Sequence, residues 1–122
     1  MILSREQILY YCSLAGFSGD DLNRAADIAF CESSYNTLAH NTSGEDSRGL
    51  FQINVASNIK YKDYDLYDPL TNCQVAYELY SNRGGTFKDW SCNNIIDKST
   101  VIAKNFSPII LFFFIFLILT KV

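Results

Sequence analysis

The sequence predicts a mainly helical α+β domain: a small helical body with a short β-hairpin or loop region, followed by a C-terminal hydrophobic helix. Three observations predict it. Apolar residues recur at helical spacing in three separate capped segments. A polar, turn-forming stretch interrupts them between Asn36 and Asp46. The chain closes on a nearly unbroken apolar run from Ile109 to Leu119.

The elements follow in order. Ser4-Arg-Glu-Gln7 has the capping-box pattern, with Ile8, Leu9, Cys12 and Ala15 behind it, and predicts a helix over 4–15 that Gly16 stops. Ser18 or Asp20 then caps a second helix carrying Leu22, Ala25, Ala26, Ile28, Ala29 and Phe30, which runs to Ser33 or Ser34. Gly49-Leu-Phe-Gln-Ile-Asn54 reads as a short strand or as the start of another helix. Residues 55–68 are polar, tyrosine-rich and loop-like. Asp68-Pro69 opens a third helix with its body over Asn72–Leu79, and Gly84-Gly85 breaks it. Phe87 and Trp90 form a local aromatic anchor.

Composition bounds the function. The 122 residues are 48% hydrophobic and 15% aromatic, which excludes a disordered chain. Ten basic against 13 acidic side chains give a net charge of −3, and the apolar tail holds one of the basic ones, Lys121. An acidic body argues against nucleic acid as a partner, because phosphate neutralisation needs a basic footprint. With one histidine, His40, and no Cys-x-x-Cys, no metal or other cofactor is expected. Arg5 and Glu6 stand where the apolar core of a signal peptide would run.

The four cysteines are Cys12, Cys31, Cys73 and Cys92. Of three pairings, Cys12–Cys31 with Cys73–Cys92 is favoured because each would staple helices adjacent in sequence; four reduced, buried thiols are the alternative. The expected organisation is a domain over 1–105 and a single-pass membrane anchor over 106–122. The 17 residues of Phe106–Val122 would span about 25 Å as a helix, at the short end for a bilayer core. A small domain also has little interior for a helix that is apolar on every face. Packing of the tail on partner subunits remains an alternative.

The chemistry concentrates in two segments, Glu32 to Asn41 and Ser47 to Asn54. A carboxylate at the end of an apolar helix loses hydration, which favours its protonated form. Such an acid can protonate a leaving group near neutral pH. A polar loop and a Gly-Leu-Phe-Gln turn can bring amide groups opposite it, which suits cleavage of a glycosidic bond.

These residues carry a family resemblance. Glu32-Ser33, Tyr35-Asn36, Ala39 and Asn41, then Ser47-x-Gly49-Leu50-Phe51-Gln52-Ile53-Asn54, resemble the lysozyme superfamily, especially its lytic transglycosylase (SLT-type) and phage lysozyme-like domains. Ala15-Gly16-Phe17-Ser18-Gly19 upstream is similar as well. So are Asp68-Pro69-x-x-Asn72, Ala76, Tyr80, Gly84-Gly85-x-Phe87 and Trp90 downstream, so the likeness covers 4–92.

The resemblance implies a lysozyme-like fold and a lytic enzyme that cuts the β-1,4 bond between N-acetylmuramic acid and N-acetylglucosamine. It implies Glu32 as general acid, and as base in a second step. It places Ser33 beside the glutamate and Gln52, Asn54 and Tyr80 along the sugar cleft, with core packing as the alternative for Tyr80. C-type lysozymes carry an aspartate directly before the corresponding turn, where this chain has Arg48. Asp46 and Glu45 are therefore the candidate second carboxylates, or else solvated loop charges. A single-carboxylate site suits a transglycosylase, whose product is a 1,6-anhydro sugar.

The expected partners are peptidoglycan strands, a lipid membrane through the tail, and other virion or envelope proteins. The expected location is a virion membrane or a bacterial cell envelope. The alternative is an inactive glycan-binding or structural virion membrane protein on the same fold.

Overall fold

The computed structural model describes residues 1–105. Helix α1 (Arg5–Ala15) starts on the expected capping box: the Ser4 side chain accepts from the Gln7 amide, and the Gln7 side chain accepts from the Ser4 amide. Ile8 and Cys12 on its inner face are fully buried. Gly16 ends it at φ +127°, where an added Cβ would lie 2.8 Å from the Tyr77 ring, so glycine is required both by backbone and by space.

Helix α2 (Gly19–Ser33) begins with Asp20 and Asp21 in its first turn, which favour the positive end of the helix dipole. Its buried alanines, Ala25, Ala26 and Ala29, allow α1 and the centre of the molecule to approach closely. Beyond it, three two-residue strands form an antiparallel sheet in the order β1 (His40–Asn41), β2 (Ser47–Arg48), β3 (Ile53–Asn54). His40 faces Arg48, and Ser47 faces Asn54. The Gly49–Asn54 segment is thus neither one strand nor a helix: a turn over Gly49–Gln52 leads into β3.

A 3-10 turn (Ile59–Tyr61) punctuates the tyrosine-rich connection. Helix α3 (Pro69–Asn82) starts where Asp68-Pro69 placed it, with the Asp68 carboxylate accepting from the Thr71 amide. Helix α4 (Ser91–Asn105) was not marked by the sequence. Its Asn, Thr and β-branched residues are weak helix formers. Tertiary ties hold it instead, including an Arg24–Asp97 ion pair of 2.8 Å to α2.

The favoured cysteine pairing is overturned. The disulfide joins Cys31 at the end of α2 to Cys92 at the start of α4, with Cα atoms 6.0 Å apart. Cys12 and Cys73 are free thiols that meet across the α1–α3 packing. The physical reason is that α1 turns its cysteine toward α3, not toward its sequence neighbour α2.

The hydrophobic anchor over 106–122 lies outside the described residues. Among the described residues, no helix is long and apolar enough to cross a membrane.

Candidate active site

Three local devices build the site. The first ends α2 just past Glu32. Ser34 and Tyr35 both take left-handed backbone conformations (φ +52° and +63°), which costs about 1 kcal/mol or more per non-glycine residue. Burial and hydrogen bonding offset that cost. Tyr35 is 8% exposed, and its hydroxyl accepts from Arg5 Nη1 at 3.1 Å. The N-terminal residues clamp the same loop, with the Leu3 amide donating to the Tyr35 carbonyl and the Thr37 amide to the Met1 carbonyl.

The second device is Asn72, which is fully buried on α3. Its Nδ2 donates to the carbonyls of Arg48 (2.9 Å) and Leu66 (2.8 Å), and its Oδ1 accepts from the Phe51 amide (2.9 Å). One side chain thus replaces ladder bonds for the whole Gly49–Gln52 turn. Gly49 (φ +74°) lies so close that an added Cβ would sit 2.1 Å from the Leu66 carbonyl oxygen. Asn72 belongs to the Asp68-Pro69-x-x-Asn72 stretch of the resemblance, but its role in holding the turn depends on contacts distant in sequence.

The third device is the aromatic floor. Trp90 Nε1 donates to the Phe51 carbonyl at 2.9 Å, which fixes the start of α4 against the turn. The Cys31–Cys92 disulfide ties the same region to the residue before Glu32.

Between these parts opens a cleft of about 490 Å³. Glu32, Asn41, Glu45, Gln52 and Asn54 line it on the α2 and sheet side, and Leu79, Arg83, Asp89, Trp90 and Ser91 on the other. A second, shallower hollow shares Ser57, Asn58 and Leu79 with it and continues toward Ile59 and Tyr61. The main cleft is lined mostly by polar and charged groups.

Glu32 stands out electrostatically. Burial is the main cause and the Glu45 charge the second, and together they raise its carboxyl to about 7. It makes no hydrogen bond to another described residue, so nothing favours the ionised form. A carboxylic acid in this state is protonated in a large fraction of molecules near neutral pH.

The candidate second carboxylates separate. Glu45 lines the cleft, with Oε1 accepting from Asn41 Nδ2 at 2.5 Å. Asp46 is outside the lining and engaged elsewhere. Its carboxylate accepts from Arg48 at 3.0 and 2.8 Å and pairs with His40 at 2.7 Å, and these partners hold it down at about 2.

The remaining expected residues divide the same way. Gln52 (φ +49°) and Asn54 line the cleft, but their amides also build it. Gln52 Nε2 donates to the carbonyls of Ala39 and Gly49 at 3.1 and 2.9 Å. Asn54 Oδ1 accepts from the amides of Asp46 and Ala56, and its Nδ2 donates to Ser57. Ser33 is outside the lining, and its hydroxyl donates to the Ala29 carbonyl one turn back, not to Glu32.

Of the two alternatives for Tyr80, the structure favours core packing, and the residue is not in the cleft lining. Its ring packs on Phe17 and Phe87, with centroids 5.1 and 4.7 Å away, and its hydroxyl donates to Asp21. That bond holds the phenol protonated up to about 12. Arg83 and Asp89, which the sequence reading did not single out, do line the cleft.

A family model described as a lysozyme like domain matches residues 10–92, more than half of the chain. No curated protein and no solved structure matches.

Proposed function

The chain belongs to the lysozyme-like domain family, and on that premise we propose that it cleaves the β-1,4 bond between N-acetylmuramic acid and N-acetylglucosamine in peptidoglycan, with Glu32 as general acid. The observation that carries this reading is the cleft glutamate itself: half-buried, in a lining that also holds Glu45, and raised to about 7.

Glu32 gives its proton to the glycosidic oxygen as the C1–O bond breaks, and positive charge develops on the muramoyl ring. The N-acetyl group of the substrate or the Glu45 carboxylate stabilises that charge. Glu32, now ionised, then takes a proton from the incoming nucleophile. That nucleophile is the sugar's own C6 hydroxyl in a transglycosylase, or water in a hydrolase. Of the two candidate second carboxylates, the lining position of Glu45 supports it, and the pairing of Asp46 with Arg48 and His40 favours a loop charge.

Residues 106–122 serve in this reading as a single-pass membrane anchor. Their unbroken run from Ile109 to Leu119 supports it. The enzyme then works at a virion membrane or a cell envelope, opening the wall locally.

The test is mass spectrometry of muropeptides released from purified peptidoglycan by the parent and by Glu32→Gln. Anhydro-muropeptides from the parent alone identify a transglycosylase, and reducing-end muropeptides from the parent alone identify a hydrolase using Glu45. Equal release, or none from a folded parent, overturns the assignment. Co-flotation of the full chain with lipid vesicles, lost on removing 106–122, tests the anchor.

A further inference from the structure

Three carboxylates, Glu32, Glu45 and Asp89, line the cleft, and among its described lining residues Arg83 is the one cation. The Arg83 guanidinium beside them can meet an anionic group on a bound glycan. Arg83 caps the end of α3 on a turn that is itself fixed. Thr86 Oγ1 donates to the Arg83 carbonyl at 2.8 Å, and the Gly85 amide donates to Tyr80 at 3.0 Å. Asp89 accepts from Nε at 3.1 Å and sets the plane of the guanidinium. The two terminal nitrogens make no hydrogen bond to a described residue, and they form the fork that binds a carboxylate through two parallel bonds.

Resting on the peptidoglycan reading above, we propose that Arg83 recognises a carboxylate on the muramoyl branch of the glycan and so makes the cleft select muramoyl-bearing strands over chitin-like ones. The carboxylate belongs either to the lactyl ether of a peptide-stripped strand or to the stem peptide. Both present the same chemistry to the fork.

The experiment measures binding by the full chain carrying Glu32→Gln, so that no turnover is needed. Three oligosaccharides of equal length serve as probes: a peptide-stripped glycan with free lactyl groups, a glycan with stem peptides, and a neutral N-acetylglucosamine oligomer. Adding Arg83→Gln weakens binding of at least one acidic probe by about tenfold and leaves the neutral oligomer unchanged, while Arg83→Lys restores part of the loss. Which acidic probe responds identifies the source of the carboxylate. An equal loss on all three probes, or no loss on any, overturns the assignment, as does failure to bind any probe. Cleavage by the parent is read separately, so a protein that binds selectively without cutting refutes the proposed function and not the role of Arg83.

An independent observation supports a second site. Cys12 on α1 and Cys73 on α3 are both fully buried, with sulfurs 3.8 Å apart. We infer that they close into a second disulfide when the chain folds under oxidising conditions. The two sulfurs join, and two protons and two electrons pass to a small-molecule disulfide, which becomes two thiols. Mutual hydrogen bonding and burial keep the Cys73 thiol protonated in the folded core, so the exchange takes place before the core closes.

Refolding the full chain in a glutathione redox buffer, followed by intact mass and non-reducing peptide mapping, decides it. The expected result is a mass loss of two hydrogens for each of two bridges, with Cys12–Cys73 and Cys31–Cys92 crosslinked peptides. Recovery of Cys31–Cys92 alone, with Cys12 and Cys73 alkylated after unfolding, overturns the inference.

Discussion

Glu32 lines the cleft and Asp46 lies outside its lining, and their surroundings drive the two carboxyls apart. Glu32 ends an apolar helix, lacks a cationic partner, and is raised to about 7. Asp46 sits on the exposed hairpin between β1 and β2, grips Arg48 and His40, and is lowered to about 2. The contrast teaches that desolvation without compensation favours the protonated carboxyl, and that a guanidinium partner favours the ionised one.

The contrast can be broken most severely at its support. Asn72→Ala strands the Phe51 amide and the Arg48 and Leu66 carbonyls inside the protein. It should cost about 3 kcal/mol or more in denaturant unfolding, since each buried unpaired polar group costs about 1–3 kcal/mol. A cost below about 1 kcal/mol would show that water replaces the side chain and that the turn is self-supporting.

Glu32→Gln sharpens the contrast through pH. The folded carboxyl lies above its unfolded value of 4.5, so the protonated form favours folding. That contribution is complete below about 4.5 and lost as pH rises through 7. Glu32→Gln escapes the loss. It should match the parent near pH 4 and exceed it at pH 8 by about 1–2 kcal/mol, after allowance for the exposed part of the carboxyl. Equal stabilities at both pH values would contradict the desolvated acid.

The activity profile gives a smaller effect. The alkaline limb of cleavage should fall as pH passes about 7, and Glu45→Gln should move that limb downward, because one like charge is gone. A limb that stays in place would remove Glu45 from the electrostatics of Glu32. The smallest effect is expected at Asp46→Asn, which should leave the alkaline limb where it is. A clear shift would mean that the exposed ion-pair cluster reaches Glu32 after all.

Local signals in the sequence carried a good deal of this. The Ser4 capping box, Gly16 as a stop and Asp68-Pro69 as a start were legible because each acts within four residues. Glu32 was legible as a candidate because the Glu32-Ser33 pair at the end of an apolar helix carries the family resemblance. Helix α4 was not legible, since its residues favour helix weakly and long-range ties to α2 hold it. Leu79 lines the cleft, and the resemblance offered its neighbour Tyr80 as a cleft residue or as core packing. One helical step of about 100° turned it instead toward Phe17 and Asp21.

By itself the sequence determined the first three helices, the turn-rich segment between them and the family likeness. These depend on local periodicity, capping and residue type. Only the tertiary structure decided the rest: which cysteines meet, which of Glu45 and Asp46 lines the cleft, and that Asn72 and Arg83 belong to the site. Those outcomes depend on which faces of distant segments pack together. Nothing in the spacing along one chain specifies the angle at which α1 meets α3 or α2 meets α4.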